Sequence, residues 1–277
     1  MNENENENEN EIRPGTDGKA VSGMGTTRAW AVLAPNPSLM TLDGTNTWVI
    51  AEPGSSSVVV VDPGPEEEPH LRRVLEVAAA GDRRVTQIVL THGHPDHAAG
   101  AARFAELTGA PVGALDPGLR LGTEGFVPGD VITAGGCELR VVGTPGHTAD
   151  SLSLLLAADQ ALLTGDTVLG RGTTVIAGDG SLSDYLRSLD ELRVLADTVA
   201  LRAILPGHGP LLDDAVVALD YYIGHRRERL DQVRAAMATG ASTPAEIVAV
   251  VYVDVDRALW PAAEQSVRAQ LDYLNGR

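Results

Sequence analysis

Lysine is almost missing from this chain of 277 residues, with Lys19 the sole example, so a catalytic lysine is not expected. Cysteine is as scarce: Cys137 stands alone, which excludes an intramolecular disulfide and a thiolate metal cluster. Positive charge is also short. Against 38 acidic residues there are 21 Lys and Arg, and the formal net charge is −17. A dedicated nucleic-acid binder presents a basic face, so this balance disfavours one. No apolar stretch approaches the roughly 20 residues that cross a bilayer, and no membrane role is expected. Neither a Walker loop, a G-x-S-x-G elbow nor a dinucleotide fingerprint occurs. The opening MNENENENENEIRPGTDGK lacks the basic and apolar stretches of a secretory signal and is too acidic for a transit peptide. Its alternating Asn/Glu pattern marks residues 1–21 as a disordered acidic tail, and the cytoplasm is the expected compartment.

The remainder is ordinary for a globular protein with a sizeable core, at 43% hydrophobic and 21% charged. Short runs rich in Val, Ile and Leu predict strands over Thr47–Ala51, Val58–Asp62, Gln87–Thr91, Leu139–Thr144, Ser151–Leu156, Ala161–Gly165 and Ala203–Pro206. Helical spacing predicts helices over Leu71–Ala80, His97–Thr108 and Leu182–Ala196. In the last, Leu182, Tyr185, Leu186, Leu189 and Leu192 share one face. This alternation gives a layered α/β class. From about Asp214 the pattern changes to a long helix, Asp214–Ala238, and a final one, Ala258–Leu274. Between them Thr243, Pro244 and Glu246 form a capping box with proline at the first helical position, and Val248–Val253 is the one strand-like run. The expected organisation is residues 1–21 as tail, 22–238 as the main domain and 239–277 as a small helical module.

Chemistry concentrates in THGHPDHAAG, Thr91 to Gly100, directly after the strand VTQIVL. At a strand end the chain turns and presents side chains into an open crevice. His92 and His94, two apart in extended chain, point the same way, while the adjacent Asp96 and His97 face apart and can serve a second centre. Imidazole and carboxylate suit a borderline divalent cation such as zinc. One histidine at a strand end is usually structural; four ligand types within six positions are not. His147 in GTPGHT, Asp166 in LLTGDT and His208 in LPGHGP each occupy the same place, the loop that leaves an apolar strand. Singly each would be read as a turn residue. Together they form a convergent rim.

The ordered set His92, His94, Asp96, His97, His147, Asp166 and His208 resembles the full ligand set of the metallo-β-lactamase superfamily. That resemblance implies an αββα sandwich with two divalent metal ions at one edge, zinc first, with iron or manganese as alternatives. It implies His92, His94 and His147 on one metal, Asp96, His97 and His208 on the other, and Asp166 bridging. NPSLMTLDGTNTWVI, GDTVLGRGTT, PGHGP and YYIGHRRER are further similar to the beta-lactamase-like protein 2 group, from about Leu33 to the end. That group includes a mitochondrial single-strand endoribonuclease and fungal acyl-carrier-protein thioesterases. Two departures are visible: Ala99 where glycine is usual, and Gly93 where a bulkier residue often stands. The superfamily's best-known true β-lactamases carry cysteine at the Asp166 position, so antibiotic hydrolysis is not the expected role.

A water bridging two divalent cations ionises near neutral pH and attacks a carbonyl or phosphorus centre, with Asp96 the expected catalytic residue. The leading expectation is hydrolysis of a small ester or thioester, in keeping with the acidic balance. The alternatives are an endoribonuclease acting on single-stranded RNA, and a non-enzymatic metal-binding protein. Asn46, His225 and Arg226 are candidate substrate contacts. Asn46 equally suits loop bracing, and the arginines after His225 equally suit a solvated helix face. Asp62, in VVVVDPG, is read either as a brace behind a ligand or as a plain turn residue. The module from Thr243 onward has five acids against three arginines, a poor phosphate surface, so a lid or packing role is expected of it. Oligomeric state is not legible.

Overall fold

The computed structural model describes residues 24–276; the predicted tail lies outside them. Ten strands form two five-stranded sheets. Sheet one holds β1 (Ala29–Leu33), β2 (Asn46–Ile50), β3 (Ser57–Val61), β4 (Arg84–Val89) and β5 (Val112–Gly113), in that order. Sheet two runs β10 (Ala203–Pro206), β9 (Ala161–Gly165), β8 (Leu152–Leu156), β7 (Cys137–Gly143) and β6 (Val131–Ala134). Both are mixed: the pairs β3–β4, β4–β5 and β9–β10 are parallel, and the other pairings are antiparallel.

Strand periodicity explains the layers. Along β3, Val59 and Val61 enter the core between the sheets, whereas Val58 and Val60 turn outward beneath helices. Leu154 and Leu163 of sheet two meet Trp48, Ile50 and Val89 of sheet one in that central core. Both faces of each sheet are covered, which is why these strands read as unbroken apolar runs. Helices α1 (Glu68–Ala79) and α3 (Ala101–Thr108) cover the outside of sheet one. Helices α4 (Leu182–Thr198) and α5 (Ala215–Ala238) cover sheet two. The result is the expected αββα sandwich. Beyond it α6 (Pro244–Val251) and α7 (Trp260–Leu274) form the C-terminal helical module, whose core also takes Val233 and Ala236 from α5.

Three expectations change. The predicted helix His97–Thr108 is split into α2 (Pro95–Ala98) and α3, because the Gly100 amide leaves the helical ladder and donates to the Gly64 carbonyl at 2.9 Å. The strand-like run Val248–Val253 lies mostly in α6, where the capping box at Thr243 and Glu246 sets a helix going. Strands β1, β5 and β6 lie outside the predicted runs.

Candidate metal centre

The ligand-type residues come from both half-sandwiches and meet at one edge. Sheet one contributes the turn after β4: β4 ends at Val89, and Pro95 opens α2 behind the extended His94. Sheet two contributes the loop from β7 to β8 with His147, the exit of β9 with Asp166 and the exit of β10 with His208. Two groups result, each with ligand atoms within 4.8 Å of one another: His92, His94, His147 and Asp166, and Asp96, His97 and His208. In the first, His94 Nδ1 stands 3.0 Å from His92 Nε2 and 2.9 Å from His147 Nε2. In the second, His208 Nε2 lies 3.3 Å from His97 Nε2 and 3.2 Å from an Asp96 oxygen. Asp166 stands between them, with Oδ2 3.7 Å from His147 Nε2 and 3.3 Å from His208 Nε2, and Oδ1 3.4 Å from His97 Nε2.

The outward side of each ring tests whether this arrangement suits a cation. His147 Nδ1 donates to the Val175 carbonyl at 2.9 Å, and His208 Nδ1 to that of Gly44 at 3.1 Å. His97 Nδ1 donates to Asp62 at 2.9 Å. Thr91 Oγ1 gives its own proton to Asp62 at 2.6 Å, so it accepts from His92 Nδ1 at 3.0 Å. All four rings therefore carry a proton on the far nitrogen and turn the other nitrogen inward, the orientation a metal-bound imidazole takes. Positive charge is needed among the inward atoms: burial opposes it, yet Asp166 raises His97 well above its ordinary range and His208 up to about 9, so protons on these two rings stand where a cation would. The residues fit divalent metal ions.

Electrostatics agree. Burial opposes ionisation of Asp166, yet the charges of His97 and His208 outweigh it and hold its carboxyl well below the usual range. Asp96 behaves likewise: burial is overcome by the hydrogen bond from His208 and by His97. Burial, reinforced by His97, drives His92 down and keeps it neutral, as a ligand must be.

Of the substrate candidates, Asn46 is buried and donates Nδ2 to the carbonyls of Pro206 and Gly209, so it braces the His208 loop. Arg226 is also buried. It bonds the Thr174 carbonyl and stacks on Tyr185, and Thr174 Oγ1 in turn lies 3.1 Å from His147 Nδ1. His225, pushed down to about 4 by burial and by Arg226, borders the same cavity as His147. Several supporting residues had no sequence signal of their own. Thr45 donates to Asp96 at 3.1 Å. Helix α4 holds two ligand loops, through Tyr185 to the Thr167 carbonyl and Ser188 to that of Pro145. A hydroxyl beside a ligand loop is too common in sequences to stand out.

A family model described as the metallo-beta-lactamase superfamily matches residues 40–208. The chain belongs to the metallo-β-lactamase superfamily. A second model, the beta-lactamase associated winged helix domain, matches residues 243–276. Among superfamily relatives, a beta-lactamase-like protein 2 homolog of Caenorhabditis elegans is 32% identical, over 88% of this chain and 82% of the relative. An atrochrysone carboxyl ACP thioesterase of Aspergillus fumigatus is 31% identical, over 81% and 73%. The crystal structure of a metallo-beta-lactamase family protein from Thermus thermophilus superposes with a TM-score of 0.73 at 22% identity, covering 90% of this chain and 93% of that one. This last likeness speaks to the fold alone.

Proposed function

We propose that the protein is a binuclear metal-dependent hydrolase of esters or thioesters. The observation that carries this reading is the inward-turned nitrogen on each of four histidines, with Asp166 set between the two groups. His92, His94 and His147 would hold one cation, Asp96, His97 and His208 the other, and Asp166 would bridge. Zinc suits nitrogen and oxygen donors, as iron and manganese do, and is taken first. When bound, such cations supply a water acidified toward neutral pH and a positive centre for the developing oxyanion. The chain's residues do the rest. Asp96, tied by Thr45, would hold the second cation and orient the attacking oxygen. Asp62 and Thr91 fix two rings, and Asn46 and Arg226 hold the loops behind His208 and His147.

The thioesterase name of one relative supports the substrate class. Residues 22–238 are taken as the hydrolase domain and 239–277 as its accessory module. The proposed compartment is the cytoplasm; among the described residues no helix is long and apolar enough to cross a membrane. The test is metal-loaded protein against a thioester panel and labelled single-stranded RNA, with Asp96→Ala as control. Thioester turnover that Asp96→Ala abolishes is expected. Inert thioesters, with RNA cleaved in an Asp96-dependent way, would transfer the assignment to the nuclease.

A further inference from the structure

Two openings of unlike chemistry flank the candidate centre. One, of about 520 Å³, opens past His94 and is bordered by three carboxylates, Asp116, Asp150 and Asp179. The other, of about 360 Å³, begins at His147 and Asp166 and runs under the C-terminal module. Val255, Leu259 and Ala262 of the module form its far wall. Leu39 and Met40 border it from the loop before β2 and are 60% and 53% exposed. A single apolar side chain in water needs no explanation. Two adjacent ones facing an apolar wall, beside a cavity that reaches the metal ligands, suit an apolar ligand. The size falls within the range of small-molecule sites.

Deepening the hydrolase reading, on which this rests, we infer that the second cavity is an acyl pocket, built jointly by the hydrolase domain and the module. It takes the apolar acyl arm of a thioester or ester, and the polar leaving arm exits past His94. Of the three arginines that line it, Arg226 is committed to the Thr174 carbonyl and the Tyr185 ring, although its Nε finds no partner, and the other two are engaged. Arg171 is paired with Asp43, and Arg229 is bonded to the Val251 carbonyl and held 4.6 Å from the Tyr252 ring. The pocket therefore selects by apolar contact. Single-stranded RNA carries phosphate on both sides of a cut bond, and one side here would run along the three aspartates. Among its described residues the module, α6, α7 and a short 3-10 turn, has no strand pair to act as a wing. Its place in the molecule is that of a substrate wall.

The test is a series of N-acetylcysteamine thioesters from acetyl to decanoyl. Each methylene buried should raise kcat/KM about fourfold until the cavity is full, then a plateau should follow. Ala262→Trp, which fills the cavity from a partly exposed position, should cut the decanoyl-to-acetyl ratio of kcat/KM at least tenfold. Val250→Ser, on the exposed face of α6, should change neither rate. Calorimetry with decanoate on metal-free protein gives a reading apart from turnover: binding to the parent, and none to Ala262→Trp. A flat chain-length profile, or an unchanged ratio and decanoate affinity in Ala262→Trp, overturns the pocket while the hydrolase reading stands. Decanoate binding that Ala262→Trp removes, with every ester and thioester inert, keeps the pocket and overturns the hydrolase reading instead.

Discussion

At the scale of single residues, the centre depends on side chains that touch no substrate. Asp62 sits in the left-handed region, at φ 51°, and accepts from the Thr91 amide and hydroxyl and from His97. Removing its charge should loosen two rings together. Asp62→Asn is expected to lower metal affinity 10- to 100-fold, the usual effect of losing such a partner, with the fold retained. Competition against a chelator of known affinity reads this directly, and an unchanged affinity would count against the orienting role. Gly207 is fixed by a different constraint. A Cβ there would stand 2.5 Å from Asp166 Oδ1 and 2.7 Å from His97 Cε1, inside the centre itself. Gly207→Ala should therefore bind fewer than two metal equivalents by elemental analysis while its far-UV circular dichroism stays that of the parent. Full metal occupancy would show that the centre can move aside.

At the scale of elements, α1 is tied to sheet one through buried His70, whose Nε2 lies 3.0 Å from Thr47 Oγ1. Burial pushes this imidazole down to about 4. The folded form resists a proton that the unfolded chain accepts near 6.5, so stability is complete above about pH 6.5 and falls as pH drops toward 4. The loss from this group is about 3 kcal/mol across that window. His70→Gln cannot titrate, and metal-free urea unfolding should show a flatter pH dependence for it than for the parent. Parallel curves would exclude His70 as the cause. The elements themselves were unevenly legible. Strands buried on both faces, such as Val58–Val61, announce themselves as apolar runs. Strand β5 has two residues, too few for any pattern. The β6–β7 hairpin carries a signal in the sequence. Ala134 pairs with Cys137 across Gly135–Gly136, both at positive φ, the two-residue turn that glycine pairs favour. In α6 the β-branched run pointed to a strand, but the N-terminal cap outweighed it. The candidate ligands were the most legible part because each lies in the segment that leaves a strand. The hydroxyls and carbonyls that orient them belong to loops distant in the chain, and only folding brings them together.

For the whole molecule, the candidate ligands are drawn from both of its halves. His92, His94, Asp96 and His97 belong to sheet one's side, and His147, Asp166 and His208 to that of sheet two. Bound cations would link loops on opposite sides of the central core, and would neutralise part of a chain whose net charge is −17. The unfolded chain has no such cluster, so metal binding adds directly to folding stability. At a free metal concentration 100 times Kd, each independent site contributes about 2.7 kcal/mol, and two about twice that. With Tm moving roughly 2–4 °C per kcal/mol for a protein near this size, chelation is expected to lower Tm by about 10–20 °C. Scanning calorimetry on metal-loaded and chelator-treated protein measures the shift, with metal content confirmed on each sample. An Asp166→Ala variant removes the residue between the two groups and should lose most of the shift. If chelation strips the metal and Tm stays put, the cations do not bridge the halves, and the sandwich stands on its apolar core alone.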